Sequence, residues 1–246
     1  MGTAPPPHPG NPSVVAGMDG CRGRWLCVWG DVTAPSRLDA AILDHLDALE
    51  ELAPRPGVVG VDIPIGLADR DPRACDRAAR AALGRPRASS VFPAPLRCMI
   101  DATDYTAACA AGRSTNGRAL SRQVWNIVPL IRTMDRFLRD RPGRVEHVHE
   151  VHPEVSFMIW NGGTPMTHNK KRSAGHQERV ALIERDLPGG LAAAKHALAG
   201  QRYATDDLVD AMAAFWSAAR IARGIAVSMP EPPQSDGYGL PMTIRA

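Results

Sequence analysis

Val14-Val-Ala-Gly-Met-Asp-Gly-Cys-Arg-Gly-Arg-Trp-Leu-Cys-Val-Trp29 decides how the rest of the chain is read. An apolar run breaks on glycines at 17, 20 and 23 and resumes at Trp25. Two apolar runs joined by a short Gly-rich turn predict a β-hairpin. Both halves are apolar enough to lie inside a sheet rather than at its wet edge. Asp19 then ends a central strand, where a carboxylate is costly unless something cationic meets it. Further carboxylates are expected to join it there around a divalent metal.

Outward from the hairpin, Val58-Val-Gly-Val-Asp-Ile63 reads as a second buried strand, with Asp62 at its C-terminal end. Sites in open α/β sheets form at such strand ends. Between the two, Leu38 to Leu52 has apolar residues at 38, 42, 43, 46 and 49, a rhythm that predicts a helix. Residues 66–144 predict a helical insertion, with helices over 73–83, 105–111 and 121–138. A further strand is expected over 145–151 and a last one over 240–244. Pro153 suits the first turn of a helix. Other helices are expected over 176–184, between Gly189 and Gly200, and over 205–223 with Thr205 as N-cap.

Composition is that of an ordinary globular protein, 44% hydrophobic and 22% charged, and no apolar stretch approaches bilayer length. The proline-rich start, residues 1–13, is expected to be a disordered lead-in, with 14–246 as a single domain. Five cysteines without C-x-x-C spacing argue against a disulfide framework or a structural zinc site, and a cytoplasmic location is the default. The net charge of +3 is unevenly spread: 66–144 holds fifteen Arg, no Lys and seven acids. That basic block suits contact with phosphates, although 26 Arg against 3 Lys also fits a general arginine bias with solvated helix faces.

Asp206-Asp-Leu-Val-Asp-Ala211 opens the strongest helix, and Asp207 and Asp210, three apart, project from one face. Acids in a first turn are commonly plain caps. As a set with Asp19 and Asp62 they are candidate ligands, because four carboxylates around one point cannot all ionise without cations. Oxygen ligands favour Mg²⁺ or Mn²⁺ over zinc. Two such ions would clamp the attacking and leaving oxygens of a phosphodiester.

The Asp-Gly hairpin, the acid-ended strand and the late Asp-x-x-Asp-Ala helix resemble the RNase H-like superfamily, with a catalytic pattern similar to RuvC-type resolvases. Val61-Asp-Ile-Pro-Ile-Gly-Leu67, Cys75-Asp-Arg-Ala-Ala-Arg80, Ser90-Val-Phe-Pro-Ala-Pro95 and Glu150-Val-His-Pro-Glu-Val-Ser-Phe157 are similar to a family of predicted RNase H-like nucleases. The resemblance implies a mixed five-stranded α/β sheet flanked by helices, with the Arg-rich insertion between the fourth and fifth strands. It also implies a nuclease using two Mg²⁺ or Mn²⁺ ions on nucleic acid, with Asp19, Asp62, Asp207 and Asp210 as metal ligands. Asp62 stands where the resolvases tend to carry Glu, one methylene longer.

His152 and Glu154 follow the strand expected beside the one ending in Asp62, where they complete the site or cap the helix begun by Pro153. Arg22, in the hairpin turn, is placed to meet a phosphate bidentately. Arg77 and Arg80 share a helix face, Arg85 and Arg87 flank a turn, and Lys170 and Lys171 add a second basic point. Each is a candidate substrate contact, although for any one of them alone a solvated surface charge is the more ordinary reading. Two other functions fit parts of the pattern. Actin-like phosphotransferases share the Asp-Gly hairpin but need two copies of the fold and a second Gly-rich loop. A non-catalytic nucleic-acid or protein binding module would not need all four acids.

Overall fold

The hairpin forms as expected. In this computed structural model, which describes residues 11–246, β1 (Asn11–Cys21) turns back into β2 (Arg24–Asp31) through Arg22 and Gly23. Both turn residues have positive φ, 52° and 81°, as a two-residue hairpin whose twist matches its strands requires. The lead-in expected over 1–13 lies outside the described residues as far as residue 10, and 11–13 belong to β1.

β1 is the middle of a five-stranded mixed sheet. It pairs antiparallel with β2 and parallel with β4 (Pro56–Val61), while β5 (Val148–Glu150) pairs parallel with β4. The outer partner of β2 is β3 (Asp39–Leu43), which gives the order β3-β2-β1-β4-β5.

That third strand corrects the helix expected over 38–52. Trp25 pairs with Leu43 and Trp29 with Asp39, so the open edge of β2 is satisfied by this segment. Leu46–Glu50 then forms a 3₁₀ turn. Leu43, Leu46 and Leu49 all enter the core. Their spacing of three fits a strand end followed by a 3₁₀ turn, where i and i+3 eclipse, as well as it fits an α-helix.

Three helices lie between β4 and β5: α1 (Ala74–Leu83), α2 (Tyr105–Asn116) and α3 (Arg122–Asp140). After β5 come α4 (Pro153–Trp160), α5 (Ser173–Asp186), α6 (Gly190–Ala197) and α7 (Thr205–Ala222). α3 is capped by the Ser121 hydroxyl, which accepts the Val124 N–H at 3.2 Å. Its Val124, Val128, Ile131 and Met134 pack on one face of the sheet with Met18, Trp25 and Cys27. α7 covers the other face, burying Leu208, Ala211, Met212 and Phe215 against Val15, Leu26 and Val28.

Two glycines let α7 lie unusually close. Gly17 and Gly60 are register partners on the parallel ladder. A Cβ at Gly17 would strike the Phe215 nitrogen and the Ala211 carbonyl, and one at Gly60 would stand 2.6 Å from the Ala214 carbonyl oxygen. The helix backbone therefore rests on strand backbone at the centre of the sheet.

The C-terminal strand expected over 240–244 is present as β7 (Pro241–Arg245), but it does not join the main sheet. It pairs antiparallel with β6 (Ser228–Ser235) in a separate ribbon. Pro230, Pro232 and Pro233 lie in β6 where the register breaks between Met229 and Gln234, a place where missing N–H donors cost little. On the α7 side, Trp160 of α4 stacks on Trp216 of α7, with ring centres 4.7 Å apart and planes 8° off parallel. No helix among the described residues is long and apolar enough to cross a membrane.

Candidate functional site

The parallel ladder brings the first two acids together. The Asp62 N–H donates to the Met18 carbonyl at 2.9 Å, so the step beyond Met18 and Val61 sets Asp19 beside Asp62. Alternation along each strand puts Asp19 on the face of Gly17, and Asp62 on that of Gly60, which is the face under α7. The Asp19 carboxylate also accepts its neighbour Gly20's N–H at 2.6 Å. α7 contributes Asp210, one turn before the close crossing and almost wholly buried. Asp19, Asp62 and Asp210 thus converge at the C-terminal ends of the two central parallel strands.

At these positions the acids bias one another's ionisation. Burial raises Asp19 well above the usual carboxylate range, and the charges of Asp62 and Asp210 push it further. Asp62 rises to about 6 through burial, against the pull of Lys170 and with a push from Glu154. Asp210 also rises to about 6, from burial and Asp62, with Lys170 opposing. Asp19 and Asp62 are half-buried and Asp210 buried, and like charges drawn partly out of water oppose one another's ionisation.

Lys170 is the cation among them. Its ammonium donates to Asp210 Oδ2, and its own pKa is raised by Asp210, Asp62 and Asp19 against the effect of burial. Asp210 Oδ1, by contrast, is buried with no partner. Glu154, in the first turn of α4, behaves similarly. Its Oε1 accepts from the fully buried Arg179, while Oε2 is buried and unpartnered.

Arg179 also donates to the carbonyls of Gly175, at 2.7 Å, and His168, at 3.2 Å, so one guanidinium orients Glu154 and anchors the segment carrying Lys170. His152 precedes α4 with Nδ1 buried and unpartnered. Burial lowers its pKa, against the pull of Glu154, which favours neutral imidazole.

Asp207 does something different. Its Oδ2 accepts the Ala204 N–H at 3.1 Å, the reciprocal half of a capping box, and Ala204 rather than Thr205 is the N-cap. One of its oxygens is therefore committed to the helix end.

A second acidic group lies on α1 and β5. Donor atoms of Cys75, Asp76 and Glu150 fall within 4.8 Å of one another, the group among the described residues close enough to hold a metal ion. Asp19, Asp62 and Asp210 are spread more widely, with Lys170 between them. In the α1–β5 group, however, the cation is Arg73, which pairs with Asp76 and with Glu150 at 2.7 and 2.8 Å. Arg73 also donates to the Ile65 and Gly66 carbonyls, and Glu150 accepts the Ile65 N–H at 2.8 Å. The cluster therefore fixes the loop that follows Asp62.

The predicted basic contacts scatter. Arg22, Arg85 and Lys171 are exposed. Arg77 bonds to the Pro72 carbonyl, and Arg80 to the Val91 carbonyl at 2.6 Å. Arg87 is half-buried, with an unpartnered Nε. Of the lysine pair it is Lys170, not Lys171, that reaches the acids. The signal for it was slight: two of only three lysines stand together in an arginine-rich chain. Arg73 has one partner, Asp76, three residues on, but its link to Glu150 spans 77 residues, and Arg179 reaches Glu154 across 25, so neither contact had a local signal.

Fold and site together define an α/β protein with a carboxylate cluster at the C-terminal ends of its central parallel strands. A family model described as "Protein of unknown function (DUF429)" matches residues 17–235, and the chain belongs to that family. No curated protein and no solved structure matches it.

Proposed function

We propose that this protein is a metal-dependent nuclease, hydrolysing phosphodiester bonds of nucleic acid on an RNase H-like frame. The observation that carries the proposal is the convergence of Asp19, Asp62 and Asp210, with Asp210 Oδ1 and Glu154 Oε2 buried and unpartnered beside them. Buried carboxylate oxygens without donors are costly, and a cation relieves that cost. The mixed five-stranded sheet and the helical segment between β4 and β5 support this reading.

The donors are all oxygen, which suits Mg²⁺ or Mn²⁺, held by Asp19, Asp62 and Asp210 with Glu154 adjoining. A divalent ion there would acidify water and offset charge on the phosphate. In the hydrolysis, a water oxygen bonds to phosphorus and the bond from phosphorus to the leaving sugar oxygen breaks. Neutral His152, with its unpartnered Nδ1, is suited to accept the water's proton. The leaving oxygen takes its proton from water, and the Lys170 ammonium is suited to offset the negative charge that develops on it. Exposed Arg22, in the turn after Asp19, is suited to hold a neighbouring phosphate.

Purified protein incubated with Mn²⁺ and single-stranded, duplex and branched DNA and RNA tests this. Cleavage abolished by Asp19→Asn and by Asp210→Asn supports the assignment; cleavage that survives both, or none at all, overturns it. The Lys170–Asp210 ion pair favours a second reading, a non-catalytic binding module, because it offsets part of the site's charge without any metal. Nucleic-acid binding without cleavage would favour that module.

A further inference from the structure

Phe92 is the exception among the chain's four phenylalanines: Phe137, Phe157 and Phe215 are buried, while Phe92 is 39% exposed. It stands after α1 in Arg85-Pro-Arg-Ala-Ser-Ser-Val-Phe-Pro-Ala-Pro95, between residues that are firmly held. Val91 is buried in an apolar cluster with Cys75, Ala79 and Leu83 of α1 and with Val155 and Met158 of α4, and its carbonyl accepts from Arg80 at 2.6 Å. On the other side the Ala94 N–H donates to the buried Asp76 at 2.9 Å. The ring is thus offered to water by anchored backbone, which has little freedom left to lose on binding.

The same loop adjoins the carboxylate site. Val155, in the cluster with Val91, follows Glu154 directly, and the Ser90 backbone faces the His152 imidazole. Phe92 is two residues beyond Ser90, no more than about 7 Å of chain. Charge along this stretch has one sign, since residues 77–100 hold five arginines and no acid. Arg97 pairs with Asp135 and Asp236, but Arg77, Arg80, Arg85 and Arg87 have no carboxylate partner among the described residues. Arg85 is exposed, and Arg87 is half-buried with its Nε unpartnered.

Guanidinium groups without carboxylate partners beside an exposed aromatic ring are the combination that holds single-stranded nucleic acid, with charge on the phosphates and stacking on the bases. A duplex keeps its base faces stacked inside, out of reach of such a ring. We infer that this loop receives a single-stranded stretch of the substrate, with Arg85 and Arg87 on its phosphates and Phe92 stacked on an unpaired base. This rests on the nucleic-acid reading above and specifies the form that the nucleic acid takes beside the acids.

Fluorescence anisotropy with labelled oligothymidylate and oligouridylate in EDTA, which separates binding from cleavage, tests it. The wild type is expected to bind at least one of the two, Phe92→Ala to bind it about tenfold more weakly, and Phe92→Trp to keep the wild-type affinity. On the same backbone carrying abasic sites, the wild type and Phe92→Ala should bind alike, because no base is left to stack. Phe92→Ala binding the base-bearing strand as tightly as the wild type, or losing the abasic strand to the same degree, overturns the inference and leaves metal-dependent cleavage to its own test. A wild type that cuts duplex yet neither holds nor cuts single strands does the same. Neither binding nor cutting of any nucleic acid overturns both. Matching circular dichroism of the two variants establishes that they are folded.

Discussion

Gly17 and Gly60 face each other across the β1–β4 ladder, and both lie directly beneath the backbone of α7. Two residues on, on that same face, come Asp19 and Asp62. The Gly-x-Asp pattern on each strand is therefore one device: the glycine admits the helix, and the acid meets what the helix carries. A methyl at Gly17 would press on helix backbone, which cannot swing aside as a side chain can. Gly17→Ala is expected to cost about 3 kcal/mol in urea unfolding and to abolish Mn²⁺ binding by moving Asp210. Gly23→Ala, at a turn with open space but positive φ, should cost about 1–2 kcal/mol and leave Mn²⁺ binding intact.

Asp62 predicts a pH signature. Its folded pKa, about 6, lies above that of an unfolded aspartate, so the folded state holds the proton more tightly. Its contribution to stability is fully present below the unfolded value and is lost as pH rises through about 6. Without divalent ions, Asp62→Asn should therefore match the wild type near pH 4 and melt about 2–4 °C higher at pH 7.5. Metal binding has the opposite sense, since the acids must lose their protons: wild-type Mn²⁺ affinity should climb between pH 5 and 7. Scanning calorimetry and titration at several pH values measure both. An Asp62→Asn advantage that shrinks as pH rises would contradict the assignment.

Asp207 and Asp210 should separate cleanly. Asp207→Ala removes the capping carboxylate and is expected to cost about 1 kcal/mol, with Mn²⁺ affinity changed by less than about threefold. Asp210→Asn should cut that affinity at least about tenfold. If Asp207→Ala proves as damaging to metal binding as Asp210→Asn, Asp207 is a ligand as well as a cap.

Arg73 is buried and is the counter-ion for Asp76 and Glu150. Arg73→Met strands both acids and should destabilise by about 3–5 kcal/mol. Because the guanidinium already fills the Cys75–Asp76–Glu150 group, Zn²⁺ or Mn²⁺ added to Asp210→Asn should leave its melting temperature unchanged. A rise would show that this group takes metal in place of Arg73.

How much of this was legible depended on whether the deciding partner was near in sequence. The hairpin was readable because its turn and both strands sit within one short stretch. Asp19 and Asp62 were readable because each ends a β-branched or apolar run whose burial is intrinsic to its composition. β3 was not, since Asp39–Leu43 becomes a strand by pairing with β2, and its leucine spacing serves a helix equally well. β6 hid behind its prolines, tolerable only in a two-stranded ribbon whose register breaks there. Asp207 looked equivalent to Asp210 because both face one way on a helix; only the position of Ala204 shows which of them the helix end uses. Lys170 reaches Asp210 across 40 residues, with no periodicity to announce it.

The Trp160–Trp216 stack gives the protein an internal optical gauge. Each ring lies six residues after a candidate site acid, Glu154 on α4 and Asp210 on α7, so the indoles ride on the same two rods as the carboxylates. Nearly parallel rings at 4.7 Å couple their electronic transitions, and that coupling falls steeply as the rings separate or tilt. Near-ultraviolet dichroism of the unlabelled protein would therefore register, in real time, any change in how far apart α4 and α7 hold their acids.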